Sequence, residues 1–548
     1  FLTVPISLIA SFILLNFFGF SINLITLLAL ILCTGLVVDD SIVMLENIHR
    51  KIEEGEKPLK AAIYGSKEVF FAIVSTSIVL VSVFLPIVFL KGDTAKLFDE
   101  LALTIIGAIF FSTLVSLTLT PMLCSQILKV YKVDFQKKSY IQSYYEKNIV
   151  SILKKKKFIF SLIIFLITIS ILLYKNIAKE LSPKEDRGAF FLIMNSPEGS
   201  SYKNTVQQML KLEEKLLEFN KSNEANRILL RVPRSFSGAE NFSDGIGIIV
   251  LNHWDERRSI WKIINDVKEK TKNISDSKIQ IFPPRSLGQR RSGSQLQLVL
   301  GGDSYSEIDS VMEGILNEVS KNPNFVFVDT DYKKNRPQLK IYIDRKRSSE
   351  LEVSTQEIGR TLEVLLGGRK INTFIDKGEE YYIIIQSISS ERQLPDDLSL
   401  INVRSKNGDL IRLDSLIYSE ESSAAKELHR YNRMRSITLK AGLNKDYSLG
   451  EAINFLENII IKNQNEKIKV DYKGQSKEFK DSSKQLIYLF LISLLVVYLV
   501  LSAQFESFIS PAIIMISVPL SFSGGLLGLW IADSSLNIFS QIGMIILL

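Results

Sequence analysis

Gly35-Leu36-Val37-Val38-Asp39-Asp40-Ser41-Ile42-Val43 sets two adjacent carboxylates inside an apolar run that covers residues 24–45. A run of that length crosses a bilayer as a helix, for which about 17–25 residues suffice. Each carboxylate opposes insertion by roughly 2.5–3.5 kcal/mol, so the pair costs about 5–7 kcal/mol. Ionisable groups kept at that cost mark proton, ion or substrate paths, the alternative being a pair that only locks neighbouring helices through hydrogen bonds. Adjacent positions lie about 100° apart around a helix, so Asp39 and Asp40 can both face a bundle interior but not the same point. Two such groups side by side exchange protons as a coupled pair. Glu46 and His49 follow at the cytoplasmic interface.

Outward from this stretch, further apolar runs occupy 1–20, 69–90, 101–123, 158–173, 486–501, 508–531 and 536 to the end. These runs predict a transmembrane block over 1–174 with five spans, and a second over 486–548 with two spans and a shortened third. Both ends of the 548-residue chain fall inside apolar runs and residue 1 is Phe, so an internal stretch of a longer protein is expected. The formal charge of +7 informs by position. Arg50, Lys51, Lys57, Lys60 and Lys67 fill one loop, and nine lysines fall between residues 125 and 157. Short loops rich in Lys and Arg stay cytoplasmic, which puts 174–484 on the far side. Within the second basic loop, 139–153 reads as an amphipathic helix lying on the inner surface or packing on the bundle.

A repeat links the two blocks. Val4-Pro5-Ile6-Ser7 returns as Val518-Pro519-Leu520-Ser521, an offset of 514 (518 − 4), and Ser21-Ile22-Asn23-Leu24 returns in the same register as Ser535-Leu536-Asn537-Ile538. Apolar matches are cheap in membrane segments, whereas Pro and Asn in register are not. A duplicated bundle is the symmetry many transporters show.

The block between alternates strand and helix patterns. Strands at 189–195, 227–232, 247–251 and 278–282, with helices at 203–219 and 259–272, give the split β-α-β-β-α-β order of ferredoxin-like folds. A second set has strands at 295–300, 325–331 and 338–343 and a helix at 305–320, then resumes with strands at 436–441 and 468–472 around a helix at 448–461. The insertion 344–429 is too long for a plain loop. The expected fold class is therefore a polytopic α-helical membrane protein with a large α+β region.

Other classes find little support. No Gly is followed by Lys, so the phosphate-cradling loop of an ATP-driven pump is absent from this sequence. The three histidines, His49, His253 and His429, stand far apart without metal-ligand spacing, and no cofactor, metal site or enzymatic activity is expected. No basic stretch interleaved with aromatics suggests nucleic-acid binding. Cys33 and Cys124 both lie in or beside apolar runs and imply no disulfide.

GLVVDDSIVMLENIHR (35–50) resembles the aspartate-bearing span of the resistance-nodulation-division superfamily, in its multidrug (hydrophobe and amphiphile efflux) branch. So do SPKEDRGAF (182–190), SPEGSS (196–201), YIDRKRSSELEVS (342–354) and AQFESFISPAIIMISVPLS (503–521), in collinear order over the whole chain. The resemblance implies that Asp39 and Asp40 are proton-relay carboxylates. It implies a periplasmic region with porter subdomains at 188–284 and at 294–343 with 430–473, and a docking subdomain at 344–429. Substrate is then held between the porter subdomains. Ser235-Phe236-Ser237-Gly238-Ala239-Glu240-Asn241-Phe242 falls at the family's switch loop, the alternative being an ordinary polar hairpin. Arg231 and Arg234 beside it are possible substrate contacts. The implied function is export of drugs or other amphiphilic small molecules driven by the proton motive force, or, alternatively, export of lipid or protein by a related transporter. The implied setting is a homotrimer in a bacterial inner membrane, working with a periplasmic adaptor and an outer-membrane channel.

Overall fold

The computed structural model describes residues 2–89, 93–128, 144–146, 148–149, 154–234, 242–274, 277–284, 294–425, 427–462 and 467–547. The amphipathic helix expected over 139–153 lies largely outside the described residues, as does the loop from Ser235 to Asn241.

In chain order the elements begin with helices α1 (Thr3–Phe17), α2 (Leu24–Glu53), α3 (Pro58–Phe84), α4 (Asp93–Ile127) and α5 (Lys156–Asn176). Then come β1 (Ala189–Asn195), α6 (Tyr202–Lys221), β2 (Ala225–Arg231), β3 (Asp244–Leu251), α7 (Ile260–Thr271) and β4 (Lys278–Phe282). Next are β5 (Leu296–Gly302), α8 (Tyr305–Ser320), β6 (Phe325–Thr330), β7 (Arg336–Ile343), α9 (Arg345–Glu350), α10 (Thr355–Leu362), β8 (Arg369–Asp376) and β9 (Glu379–Ile385). Short strands β10 (Asn402–Arg404) and β11 (Leu410–Arg412) precede β12 (Ile417–Ala424), β13 (Arg430–Tyr431) and β14 (Met434–Leu443). The chain closes with α11 (Leu449–Lys462), β15 (Lys469–Tyr472), α12 (Gln475–Phe505), α13 (Ile509–Met515), α14 (Val518–Ile531) and α15 (Ile538–Ile546). The elements group into two compact units, one of residues 1–185, 285–329 and 438–548, the other of 186–284 and 330–437.

The first unit holds the membrane helices. Among the described residues six helices are long and apolar enough to cross a bilayer: Leu24–Glu53, Pro58–Phe89, Phe98–Ile127, Lys156–Asn176, Gln475–Phe505 and Ile509–Ile531. Thr3–Phe17 is apolar but shorter. Several helices outrun their apolar stretches: α2 continues to Glu53, and α12 starts at Gln475 although its apolar run starts at 486. Hydropathy marks what the bilayer covers, while the backbone ladder continues through polar residues until a cap stops it. On α2 the residues Ala29, Cys33, Val37, Met44 and Ile48 are buried at helical spacing against α3 and α4. Close approach needs small residues. A Cβ on Gly65 of α3 would meet the Cα of Ile48 at 3.2 Å.

The repeat is visible in the caps. Asn23 Oδ1 accepts from the N–H of Thr26 at 3.0 Å while Thr26 Oγ1 accepts from the N–H of Asn23 at 2.9 Å. Asn537 and Ser540, 514 residues on (537 − 23), make the same reciprocal pair at 3.1 and 2.8 Å. These are capping boxes at the starts of α2 and α15, so the matched Asn residues do matched physical work.

One sheet runs β6-β14-β5-β15, with α8 and α11 in the sequence, and the short β13 also pairs with the start of β14. The second unit contains a sheet in the order β2-β3-β1-β4 with α6 and α7. Numbered within their own modules, both read 2-3-1-4, the ferredoxin-like order expected from the sequence. One expected strand goes elsewhere. The stretch 338–343, expected to belong to the second module, is part of β7 and pairs antiparallel with β12 from Ile343↔Ile417 to Arg336↔Ala424. Its alternation fitted a strand in either place, and only the long-range partner decides between them.

Within the second unit the linker from the membrane is anchored at Asp186. Arg257 Nη2 donates to Asp186 Oδ1 at 2.7 Å and Nη1 to Oδ2 at 2.9 Å. The N–H groups of Ile260 and Gly188 donate to the same carboxylate at 2.9 and 3.1 Å. Ile260 is the first residue of α7, whose N-cap Ser259 makes no side-chain capping bond, so Asp186 caps the helix from a distance in sequence. Burial works against the charge on Asp186, but Arg257 and the two N–H groups outweigh it and hold the carboxyl below its ordinary range.

Candidate functional site

The site is built where α2, α3 and α4 pack together. Asp40 is 6% exposed and Asp39, one residue earlier, lies on the exposed side of α2. The two carboxylates therefore stand in different surroundings, as their angular offset around the helix requires. Ser77 of α3 donates from Oγ to Asp40 Oδ2 at 3.3 Å, and Thr113 Oγ1 of α4 donates to Ser77 Oγ at 2.6 Å. Beside them, Ser41 Oγ and Ser116 Oγ are 2.7 Å apart, and Ser112 Oγ donates to the carbonyl of Val37 at 3.0 Å. Around Asp40 the three helices are thus joined by hydroxyls, an arrangement that satisfies polar groups where no lipid can.

Sequence pattern alone does not assign these hydroxyls to a site. A signal was present: Ser75-Thr76-Ser77 on α3, and Ser112, Thr113 and Ser116 on α4, are small polar clusters in apolar spans. Such residues commonly bond only their own helix carbonyl, so the clusters gain meaning once a carboxylate is seen beside them. His49 and Glu46, expected at the interface, are both exposed, and His49 Nδ1 lies 3.4 Å from Glu53.

The second candidate lies at one end of the first α+β module. β2 and β3 are antiparallel neighbours, with Arg231 opposite Ile246 at the end of the ladder. Arg234 is half-buried, and its N–H donates to the carbonyl of Asp244 at 3.0 Å. Phe242 lies edge-on to Tyr202, the first residue of α6, with ring centroids 5.8 Å apart. The structure brings Arg231, Arg234 and Phe242 to the end of one hairpin, from which Ser235 to Asn241 emerges outside the described residues.

A third concave feature is an apolar groove of about 930 Å³ among α5, α12, α13 and α14, lined by Tyr174, Leu491, Tyr498, Met515 and Phe522 among others.

The family model described as AcrB/AcrD/AcrF family matches residues 1–548. The chain is 32% identical over 568 aligned residues to a protein of Haemophilus influenzae named "Uncharacterized transporter", covering 100% of this chain and 54% of that one. It is 28% identical to the "Multidrug resistance protein MdtC" of Photorhabdus laumondii, covering 100% of this chain and 53% of the relative. The protein of the same name from Proteus mirabilis is also 28% identical, with 54% of its length covered. The chain spans about half the length of the curated relatives it matches.

Proposed function

The chain belongs to the AcrB/AcrD/AcrF family of resistance-nodulation-division permeases, multi-pass proteins of the inner membrane, and on that premise we propose that the full-length protein exports amphiphilic small molecules, drugs among them, in exchange for protons. The observation that carries this reading is Asp40, a carboxylate buried in a membrane span and met there by a hydroxyl rather than a cation among the described residues. Asp39 and Asp40 take protons from the outer side and release them inside, and the porter modules built on β1 to β4 and on β5, β6, β14 and β15 move substrate in response. The apolar groove suits a substrate with a lipophilic body. The direct check is accumulation of fluorescent dyes by cells with and without the full-length protein. Export should stop when a protonophore dissipates the gradient, whereas export that persists without a gradient opposes the reading.

Ser235 to Phe242 gates substrate between two periplasmic pockets in this proposal. A loop that biases substrate movement must differ between access and binding states. Gly238→Pro fixes φ near −65° and removes a donor, which restricts that motion. Export of bulky dyes should then fall while slim dyes are exported nearly as before. Arg234→Ala should shift the spectrum away from acidic or zwitterionic dyes. Unchanged export of every dye in both variants leaves the loop a plain connection.

Assembly as a homotrimer with a periplasmic adaptor and an outer-membrane channel completes the proposal, with the insertion 344–429 holding an oligomer contact. The β8–β9 hairpin supports it: Lys377 and Gly378 make a two-residue turn with positive φ at both positions. Every residue of β9 is exposed, and Ile375 and Ile384 are 78% and 55% exposed. Exposed apolar hairpins of this kind mark contact surfaces. The double substitution Ile375→Asp and Ile384→Asp should convert the trimer to monomer in native mass measurements of detergent-extracted protein. A wild type that is itself monomeric contradicts the assembly.

A further inference from the structure

We propose that Ser77, backed by Thr113, is a positioning residue that holds Asp40 in both of its protonation states; this rests on the proton-relay reading above. Ser77 Oγ lies 3.3 Å from Asp40 Oδ2 and 2.8 Å from the carbonyl oxygen of Ile73. Thr113 Oγ1 lies 2.6 Å from Ser77 Oγ and 2.9 Å from the carbonyl oxygen of Ile109. Each hydroxyl owns one hydrogen and accepts through two lone pairs, so the contacts are made in two alternating sets.

When Asp40 is a carboxylate, Thr113 donates to Ser77 and Ser77 donates to Asp40. When Asp40 has gained a proton, its own O–H donates to Ser77 Oγ, Ser77 turns to Ile73, and Thr113 donates to Ser77 or Ile109. The gained proton stays on Asp40, and no Ser or Thr O–H bond breaks. Both sets satisfy every donor without moving a heavy atom. A buried carboxylate without such a partner would leave a polar group unpaired in one of its two states. The Ser41–Ser116 contact and the Ser112 bond to Val37 hold α2 against α4 on either side, which keeps Asp40 within reach.

Serines in membrane helices often bond only carbonyls of the preceding turn, as Ser75 and Ser82 do from half-buried positions on the same helix. Ser77 differs because it is buried and lies between a carboxylate and a second hydroxyl. Among the described side chains, the other titratable or charged ones on these helices are Cys33, Asp39, Glu46, His49, Arg50, Lys51 and Glu53 on α2, Lys60, Tyr64, Lys67 and Glu68 on α3, and Lys96, Asp99, Glu100 and Cys124 on α4. Only Asp39 adjoins Asp40 in the chain. α1 carries none, and α12, which also packs on α3, carries Lys477, Glu478, Lys480, Asp481 and Lys484 before its apolar run and Tyr488 and Tyr498 within it.

Infrared difference spectra of the purified full-length protein, taken over a pH series in D₂O, read the carboxylic C=O band of Asp40, identified by its loss in Asp40→Asn. Ser77→Ala should move that band and change the proton affinity of Asp40 about ten-fold or more, the expected effect of losing one hydrogen bond to a charged group. Ser77→Thr, which keeps the hydroxyl, should restore both, and Thr113→Val should give a smaller change that Thr113→Ser reverses. Ser82→Ala, outside the network, should change neither. A band and midpoint unmoved in Ser77→Ala overturn the inference alone, as does equal disturbance by Ser77→Ala and Ser77→Thr, which marks a packing role. If wild type shows no titrating band that Asp40→Asn removes, the relay reading falls and the inference with it.

Discussion

Asp40→Asn should reduce export by the full-length protein to the level of cells without it, with normal amounts of protein in the membrane. Asn has the shape of Asp and still accepts from Ser77, so the packing of α2 on α3 and α4 is preserved. What it loses is the ability to gain and release a proton. Moving one charge through 100 mV is worth about 2.3 kcal/mol, and a pump that cannot load that charge has no coupling to the gradient. Asp39→Asn should have the same end result by a different route. Asp39 is exposed in this structure, and in the proposed relay its part is to pass protons to and from its buried neighbour. Immunodetection in membranes together with dye export measures both points. Full export by both variants removes the carboxylates from the mechanism.

The second large effect is structural and falls at Arg257. Its side chain is 1% exposed and that of Asp186 is 23% exposed. Removing one partner of a buried pair costs roughly 3–5 kcal/mol, and the partial exposure of Asp186 puts Arg257→Ala near the lower end. The loss should appear as faster hydrogen exchange across β1 and α7, because Asp186 also caps α7. Ser259→Ala at the nominal cap position should stay within about 0.5 kcal/mol of wild type. The sign with pH follows from the depressed carboxyl of Asp186. Its stabilisation is complete above the unfolded value, near 3.9, and is lost as pH falls through the lower folded value. In Arg257→Ala that acid-dependent part should largely vanish. Equal exchange in wild type and Arg257→Ala at neutral pH contradicts the anchor.

Legibility in the sequence followed the range of the interaction concerned. Membrane helices announce themselves by local composition, and the Asp39-Asp40 pair is conspicuous because the bilayer penalises it. The Asn23 and Asn537 match was readable because a capping box needs only residues three apart, and the structure gives the reason for the match. Both α+β modules were readable from element order alone. The partner of β7 was not, since β6 and β7 follow one another closely while the true partner β12 comes about 80 residues later. The hydroxyls around Asp40 show in the sequence only as polar clusters without a partner, for the same reason: Ser77 and Thr113 lie 37 and 36 residues from their respective partners Asp40 and Ser77. Asp186 reads as one charge among several in Lys184-Glu185-Asp186-Arg187 until Arg257 and the start of α7 fold against it.

The most direct test of the account is proton movement itself. The full-length protein is reconstituted into vesicles holding a pH indicator, and proton flux is recorded when dye transport is started under an imposed gradient. The account predicts proton flux that begins with dye transport, is abolished with it in Asp40→Asn, and reverses when the gradient is reversed. Dye transport that proceeds in wild type with no accompanying proton flux would contradict it.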